Sequence, residues 1–315
     1  MADYDVVIIG SGPAGLTAAI YAGRALVKTL VLAGKLFGGQ LMLTSGVENF
    51  PGFSNGIQGP DLMQEMRRQA ERFGAEIVDE DVDSVDFKRK PVQVLAGGKI
   101  HTAKAVIIAT GSSAKWLGLP SEEKLRGRGV SSCATCDGYF FREKRVVVVG
   151  GGDTALEEAL LLTKYATQIV VVHRRDKLRA SKIMQNRAMA SEKIKFVWNS
   201  VVDEILGREK AEGVKVRNLK TGEISMIPCD GVFVAIGFQP NTNIFRGQVE
   251  LDEKGYVVSR RGTQTSVEGV FVAGDVHDFR YRQAVTAAGE GCRATMDALV
   301  YLEEQKEITI SAKEK

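Results

Sequence analysis

Cys133 and Cys136 stand three positions apart in the stretch Ser132-Cys133-Ala134-Thr135-Cys136-Asp137-Gly138. This spacing serves two chemistries, a dithiol that opens and closes as a disulfide, or half of a zinc site. Zinc needs two more ligands, yet Cys229 and Cys292 each stand alone, and the histidines are His101, His173 and His277. None of these forms a second closely spaced pair, so spacing and context favour redox activity over metal binding. Asp137 follows the second sulfur directly, which places a carboxyl group to protonate a departing thiolate and later take the proton back. Asp before Gly is also a common turn pair, and that plainer role stays open. Cys229 and Cys292 read as ordinary core or helix residues.

A dithiol needs an electron supply, and two glycine turns on either side of it are candidates. Gly10-Ser11-Gly12-Pro13-Ala14-Gly15 follows a short β-branched run over 5–9 and opens an apolar helix. That context turns a weak motif into a strong one: a tight turn, a close backbone approach to a pyrophosphate, and a helix N-terminus facing the anion. An acid is expected about 20 residues further on, at the end of the second strand, to hold a ribose. That place reads Leu32-Ala33-Gly34-Lys35, without a carboxylate. The second turn, Gly150-Gly151-Gly152-Asp153-Thr154-Ala155, follows the run 145–149, and its next strand ends at His173-Arg174-Arg175, with Arg179 beyond. Adjacent arginines at that strand end match a 2′-phosphate, so the spacing predicts NADPH there. An exposed basic face is the plainer alternative. Two nicotinamides exchanging hydride achieve nothing, so the N-terminal turn is the site expected to hold FAD. Asp275, after a third buried run, is placed to accept a hydrogen bond from a ribityl hydroxyl.

The elements that position these groups occur twice. Turn, crossover, hairpin (82–104, then 214–227) and closing strand (105–111, then 231–237) repeat along the chain. A third strand ending, 269–275, and a helix from about 283 to 303 come last. The predicted fold is α/β, with two Rossmann-like three-layer dinucleotide-binding domains, the second inserted into the first. Residues 1–113 and 244–315 make the discontinuous FAD domain, and residues 114–243 the NADPH domain carrying the cysteine pair. The chain has 315 residues, 44% hydrophobic and 26% charged, as a globular protein of about two domains has. Lys plus Arg number 42 against 39 Asp plus Glu, with no basic stripe, so no nucleic-acid partner is expected. No apolar run is long enough for a membrane span, and the acidic start with its short apolar run is not expected to act as a secretory signal. Four cysteines are too few for a disulfide scaffold, and the expected compartment is the cytoplasm.

Taken together and in order, the motifs resemble those of the low-molecular-weight thioredoxin reductases of bacterial and plant type, over nearly the whole chain. Besides the two turns and the cysteine pair, they include Gly38-Gly39-Gln40-Leu41, Val47-Glu48-Asn49-Phe50-Pro51-Gly52 and His173-Arg174-Arg175 with Arg179-Ala180-Ser181. Gly274-Asp275-Val276 leading to Tyr281-Arg282-Gln283-Ala284 completes the set, whereas Lys35-Leu36-Phe37 before Gly38 departs from it. The resemblance implies a homodimer in which electrons pass from NADPH through FAD to Cys133–Cys136 and on to thioredoxin. It implies that Cys136 faces the flavin, Cys133 attacks thioredoxin, and Asp137 is the acid–base. It assigns to FAD the first turn, Gly38, Gly39, Gln40, Asn49, Val82, Ala109, Thr110, Gly111, Gly274, Asp275, Arg282, Gln283 and Ala284. To NADPH it assigns Gly152, Asp153, Thr154, His173, Arg174, Arg175, Arg179, Ile236 and Gly237. It further implies a rotation between half-reactions about connections near 112–118 and 238–245. Arg128, Tyr139 and Phe140 beside the dithiol resemble a thioredoxin docking surface, with local packing the alternative. Relatives that are flavin-dependent dithiol oxidases or ferredoxin-linked reductases do not need the arginine pair, so Arg174 and Arg175 argue against both. A zinc-stabilised module without turnover is the reading from another class.

Overall fold

The computed structural model describes residues 2–44 and 46–313. The chain divides into two compact units, Met1–Ser113 with Gln239–Lys315, and Ala114–Phe238.

In the first unit the strands run in the order Glu76–Val78, Thr29–Leu32, Tyr4–Ile9, Lys99–Ile108, Val92–Ala96, Val82–Asp86. The first four are parallel and the last two join antiparallel. Alternate residues of the first strand bury on opposite faces, as a strand covered on both sides requires. Val6 and Ile8 pack under the helices Pro13–Arg24 and Ala284–Lys313, while Val7 and Ile9 join Leu30, Val92, Phe245 and Val249 on the other face. The hairpin strand and the closing strand expected as separate runs are one ten-residue strand, Lys99–Ile108. Its first half pairs with Val92–Ala96 across the Gly97-Gly98 turn; its second half takes the returning strand Val270–Val272 in parallel. That last pairing completes the sheet from the far end of the chain.

The second unit has a five-stranded parallel sheet, ordered Val130–Ser131, Gly231–Val234, Arg145–Val149, Gln168–Val172, Ile194–Val197. Helices Asp153–Leu162 and Lys182–Met189 cover one face. The antiparallel sheet of Ser200–Leu206, Gly213–Asn218 and Ile224–Pro228 covers the other. Here hairpin and closing strand stay separate. Pro228 lacks an N–H to continue a ladder, and Asp230 turns back to accept Arg145 N–H at 3.0 Å. The segments Ser112–Ala114 and Phe238–Pro240, where the chain crosses between units, pair as a two-stranded ribbon. Residues 239–243, which the sequence reading placed in the second domain, lie in the first unit. Asn241 fastens them: its N–H bonds Gly111 O at 3.0 Å and its side chain bonds Thr110 O at 2.8 Å.

Candidate active site

Cys133 and Cys136 are joined as a disulfide, with Cα atoms 5.3 Å apart, so both sulfurs are committed to each other. Among the described residues, no group of three or more His, Cys, Asp or Glu could hold a metal ion. The pair follows the short strand Val130–Ser131 and opens the helical turn Ala134–Asp137. Cys133 caps that turn: its Sγ accepts the N–H of Cys136 at 3.2 Å, and its own N–H donates to Ser131 Oγ at 3.0 Å. Asp137 ends the turn. Burial pushes its carboxyl above the ordinary 3.8, and a hydrogen bond with Ser131 pulls the other way. Asp137 N–H also bonds Cys133 O at 3.1 Å, so the acid and the two sulfurs form one rigid turn. Tyr139 and Phe140 follow, both exposed, with the Tyr139 ring edge-on to Tyr165. The remaining thiols are apart from this turn. Cys229 is buried, and burial lifts its thiol to about 12; Cys292 lies on the last helix, beside Tyr21, whose hydroxyl it pushes up.

The first glycine turn is built around the closing strand. Gly10 has φ +115, and a Cβ there would stand 2.3 Å from Ala109 O. Around Gly12 nothing lies within 4 Å of a built Cβ, and no side chain caps the helix that begins at Pro13. Free N–H groups at an open helix start suit a pyrophosphate. Ser11 Oγ donates to Ala33 O at 2.7 Å and accepts Gly38 N–H at 3.0 Å, which draws the 33–38 segment onto the turn. Gly39 follows close by, where a Cβ would stand 3.7 Å from Gly12 Cα; Gln40 lies in the same Gly39–Leu43 turn. Asn49 Nδ2 meets Gln283 Oε1 at 3.4 Å, and a Cβ on Gly274 would stand 3.0 Å from that of Ala14. Thr110 Oγ1 donates to Asn241 O at 2.8 Å. Arg282, at φ 49, precedes the helix starting at Ala284. Val82 begins the strand beyond Glu76–Val78 and packs against the same core as Leu32. Of the sequence-predicted residues, Gly38, Gly39, Ala109 and Gly274 thus lie against the Gly10–Gly15 turn, while Asn49 meets Gln283.

Asp275 is pushed up to about 7, by burial first and then by the negative charge of Asp278. Two residues that sequence reasoning missed hold this region. Asn241 clamps residues 110–111, and Glu290 accepts Gly274 N–H at 2.6 Å while pairing with His277 Nε2 at 2.9 Å. Both act from far along the chain, and no local spacing signals either.

The second turn repeats the first. A Cβ on Gly150 would meet Ala235 O at 2.4 Å, Gly152 is open, and the helix from Asp153 has no side-chain cap. Asp153 Oδ1 accepts Ser181 N–H at 2.8 Å, and Gly151 O accepts the N–H groups of Arg179 and Ala180 at 2.7 and 3.2 Å. Those bonds fasten the backbone of residues 179–181 to the turn, and Thr154 lies in the helix's first turn. His173 is buried against Gly151, where a Cβ would stand 2.2 Å from its Nδ1, and its Nε2 lies 3.0 Å from Lys177 O. Burial holds its imidazole below the usual range, and the charges of Arg179 and Arg175 add to that. Arg174 and Arg175 are exposed. Ile236 and Gly237 follow the closing strand Gly231–Val234, and Gly237 O accepts Lys115 N–H at 2.9 Å.

The family model of pyridine nucleotide-disulphide oxidoreductases matches residues 4–291. A thioredoxin reductase of Mycolicibacterium smegmatis is 56% identical over 303 residues, 96% of this chain and 97% of its own length. Among solved structures, thioredoxin reductase from Giardia duodenalis superposes at a TM-score of 0.91 with 44% identity, covering 95% of this chain and 99% of that one. The Streptococcus pyogenes thioredoxin reductase gives 0.92 with 42% identity, covering 96% and 98%. With its disulfide, its two glycine turns and this end-to-end likeness, the chain belongs to the thioredoxin reductases of the pyridine nucleotide-disulphide oxidoreductase family.

Proposed function

We propose that the protein is an NADPH-dependent thioredoxin–disulfide reductase, with FAD held at the Gly10–Gly15 turn and NADPH at the Gly150–Ala155 turn. The observation that carries this reading is the Cys133–Cys136 disulfide with Asp137 beside it, in the unit whose strand Gln168–Val172 leads to the paired arginines Arg174 and Arg175. A flavin bound at the first turn supplies conversion of a nicotinamide hydride into an electron pair for a disulfide. The protein's own groups do the rest. Gly12, Pro13 and Ala14 present a helix start to the pyrophosphate, with Ser11 fastening Gly38 beside it. Gly152, Asp153 and Thr154 do the same for NADPH, and Arg174, Arg175 and Arg179 take the 2′-phosphate.

Reduction breaks the Cys133–Cys136 bond with two electrons, leaving one thiolate and one thiol whose proton Asp137 supplies. Its raised carboxyl keeps that proton available closer to neutrality. Cys133 is the sulfur placed to stay a thiolate, because it already accepts the Cys136 N–H. It attacks the thioredoxin disulfide to form a mixed disulfide and release one thioredoxin thiolate. Asp137 takes back the Cys136 proton as Cys136 attacks Cys133, closing the ring and releasing the second thiolate, and thioredoxin becomes the dithiol with that proton and one from solvent. We place the rotation between half-reactions at the crossings Ser112–Ala114 and Phe238–Pro240, and take the working enzyme to be a cytoplasmic homodimer. Among the described residues no helix is long and apolar enough to cross a membrane. The test is NADPH-driven reduction of an aromatic disulfide reporter with and without thioredoxin. Reduction that needs thioredoxin supports the reading. Oxygen consumption with no thioredoxin reduced points to a dithiol oxidase and refutes it.

A further inference from the structure

Strand Thr29–Leu32 runs out at Ala33-Gly34, where a ribose-binding turn ordinarily has a carboxylate and this chain has a methyl group and a hydrogen. Its parallel neighbour Glu76–Val78 ends at the same edge, with Leu32 opposite Val78. Parallel strands release their C-terminal segments side by side, at the edge where such sheets bind ligands. Ala33 N–H bonds Val78 O at 2.8 Å, and Gly34 N–H bonds Glu80 O at 3.2 Å. One step further, Asp81 Oδ1 accepts Lys35 N–H at 3.0 Å, and a Cβ on Gly34 would stand 3.2 Å from that oxygen. A carboxylate therefore does stand at the end of the second strand, delivered by the neighbouring one.

Three acids in a row leave that strand, and the other two are engaged elsewhere. Asp79 is held by Arg67 at 2.8 and 3.0 Å. Glu80 lays its side chain toward the Gly97 turn, 3.1 Å from where a Cβ on Gly97 would be. Asp81 is exposed, and among the described residues its side chain bonds only Lys35 N–H. We propose that Asp81 is the ribose acid of the first dinucleotide site, accepting a hydrogen bond from the 2′-hydroxyl of the adenosine in bound FAD. This rests on the reading that the Gly10–Gly15 turn takes FAD. The same charge repels a 2′-phosphate, so Asp81 bars NADPH from the first site while Arg174 and Arg175 favour it at the second.

The test is a cycle between the side chain and the ligand's hydroxyl, read by flavin fluorescence as full-length apoprotein takes up FAD or FAD built on 2′-deoxyadenosine. Removing the hydroxyl should weaken binding to the native chain about tenfold, the scale of one hydrogen bond to a charged acceptor. Asp81→Ala should weaken FAD at least as much and bind both ligands equally. Adding Ala33→Glu to Asp81→Ala should return about tenfold on FAD and restore the preference for the hydroxyl. If Asp81→Ala still prefers FAD tenfold, Asp81 only clasps the 33–35 segment and the proposal falls, with the FAD reading intact. Equal binding of both ligands by the native chain also overturns it. A native chain that takes up neither ligand overturns both.

Discussion

Replacing both Arg174 and Arg175 with alanine should separate NADPH from NADH by a calculable amount. The strand Gln168–Val172 ends at buried His173, which packs against Gly151, and the exposed Arg174 and Arg175 follow it directly. Arg175 and Arg179 lie close enough to His173 to push its imidazole down, behind the larger effect of burial. Among the described residues neither Arg174 nor Arg175 makes an ion pair, so both charges are uncommitted. A hydrogen bond to a charged group is worth about 1.5–3 kcal/mol, and exposure reduces this to roughly the lower end. Each arginine then contributes about tenfold to kcat/KM for NADPH and the pair about a hundredfold. NADH lacks the phosphate and should change by less than about threefold. Stability should move by no more than about 0.5 kcal/mol, because no partner is orphaned and some like-charge crowding is relieved. The assay is stopped-flow bleaching of the bound flavin by each nucleotide, at low and high salt, beside a thermal melt. The advantage of NADPH should shrink as salt rises. Equal bleaching by the two nucleotides in the native protein, or equal losses in the variant, would refute the phosphate argument.

Cys133→Ser should abolish thioredoxin reduction while NADPH still bleaches the flavin; retained turnover with thioredoxin would remove the dithiol from the reaction. Asp137→Asn should lower disulfide reduction by about 10²-fold or more and erase the alkaline limb of its pH profile. Stability should move the other way. Burial lifts the folded-state value above the ordinary 3.8. The folded state therefore holds the proton more tightly, and the stability this contributes is present at low pH and lost as pH rises through the folded value. The asparagine variant should thus melt higher than the native protein at neutral pH, and a lower melt there counts against a half-buried, costly carboxylate. Glu122→Ala should destabilise the second unit by about 3–5 kcal/mol, the cost of breaking a buried pair. Glu122 is fully buried, accepts the N–H groups of Leu117 and Gly118 at 2.9 Å each, and lies 3.7 Å from Arg126, whose guanidinium stacks over Trp116. A calorimetric shift equivalent to under about 1 kcal/mol would refute that accounting.

What is local in this fold was legible. The runs 5–9, 29–32, 145–149 and 231–234 are strands because their apolar content is continuous, and Gly10 and Gly150 end two of them where backbone meets backbone. The repeat was legible for the same reason, since each unit writes it in consecutive residues. The last helix was placed at its start and underestimated at its end: expected to 303, it runs to Lys313. Its charged final turns show no apolar stripe to read. Meetings between distant segments were not legible. Nothing near residue 241 says that it clamps residue 110, and nothing near Glu290 says that it bonds Gly274. The absence of an acid at Ala33 was visible, but its replacement depends on which strand lies next to Thr29–Leu32. Sequence spacing carries information along a strand, not across a sheet.

That distinction bears on how one architecture, used twice, would take the two dinucleotides proposed above. At the first turn a glycine faces the closing strand's carbonyl, with 2.3 Å between a built Cβ and Ala109 O; at the second the distance is 2.4 Å to Ala235 O. In both, the middle glycine opens onto space and the helix start carries no side-chain cap. Backbone alone therefore makes two equivalent pyrophosphate cradles, and cannot tell FAD from NADPH. On the proposed assignment, discrimination falls to side chains at the end of the second strand, where a ribose would lie. There the first unit offers the carboxylate of Asp81 and the second the guanidinium groups of Arg174 and Arg175. Exchanging those charges, rather than the glycines, is what should exchange the nucleotides.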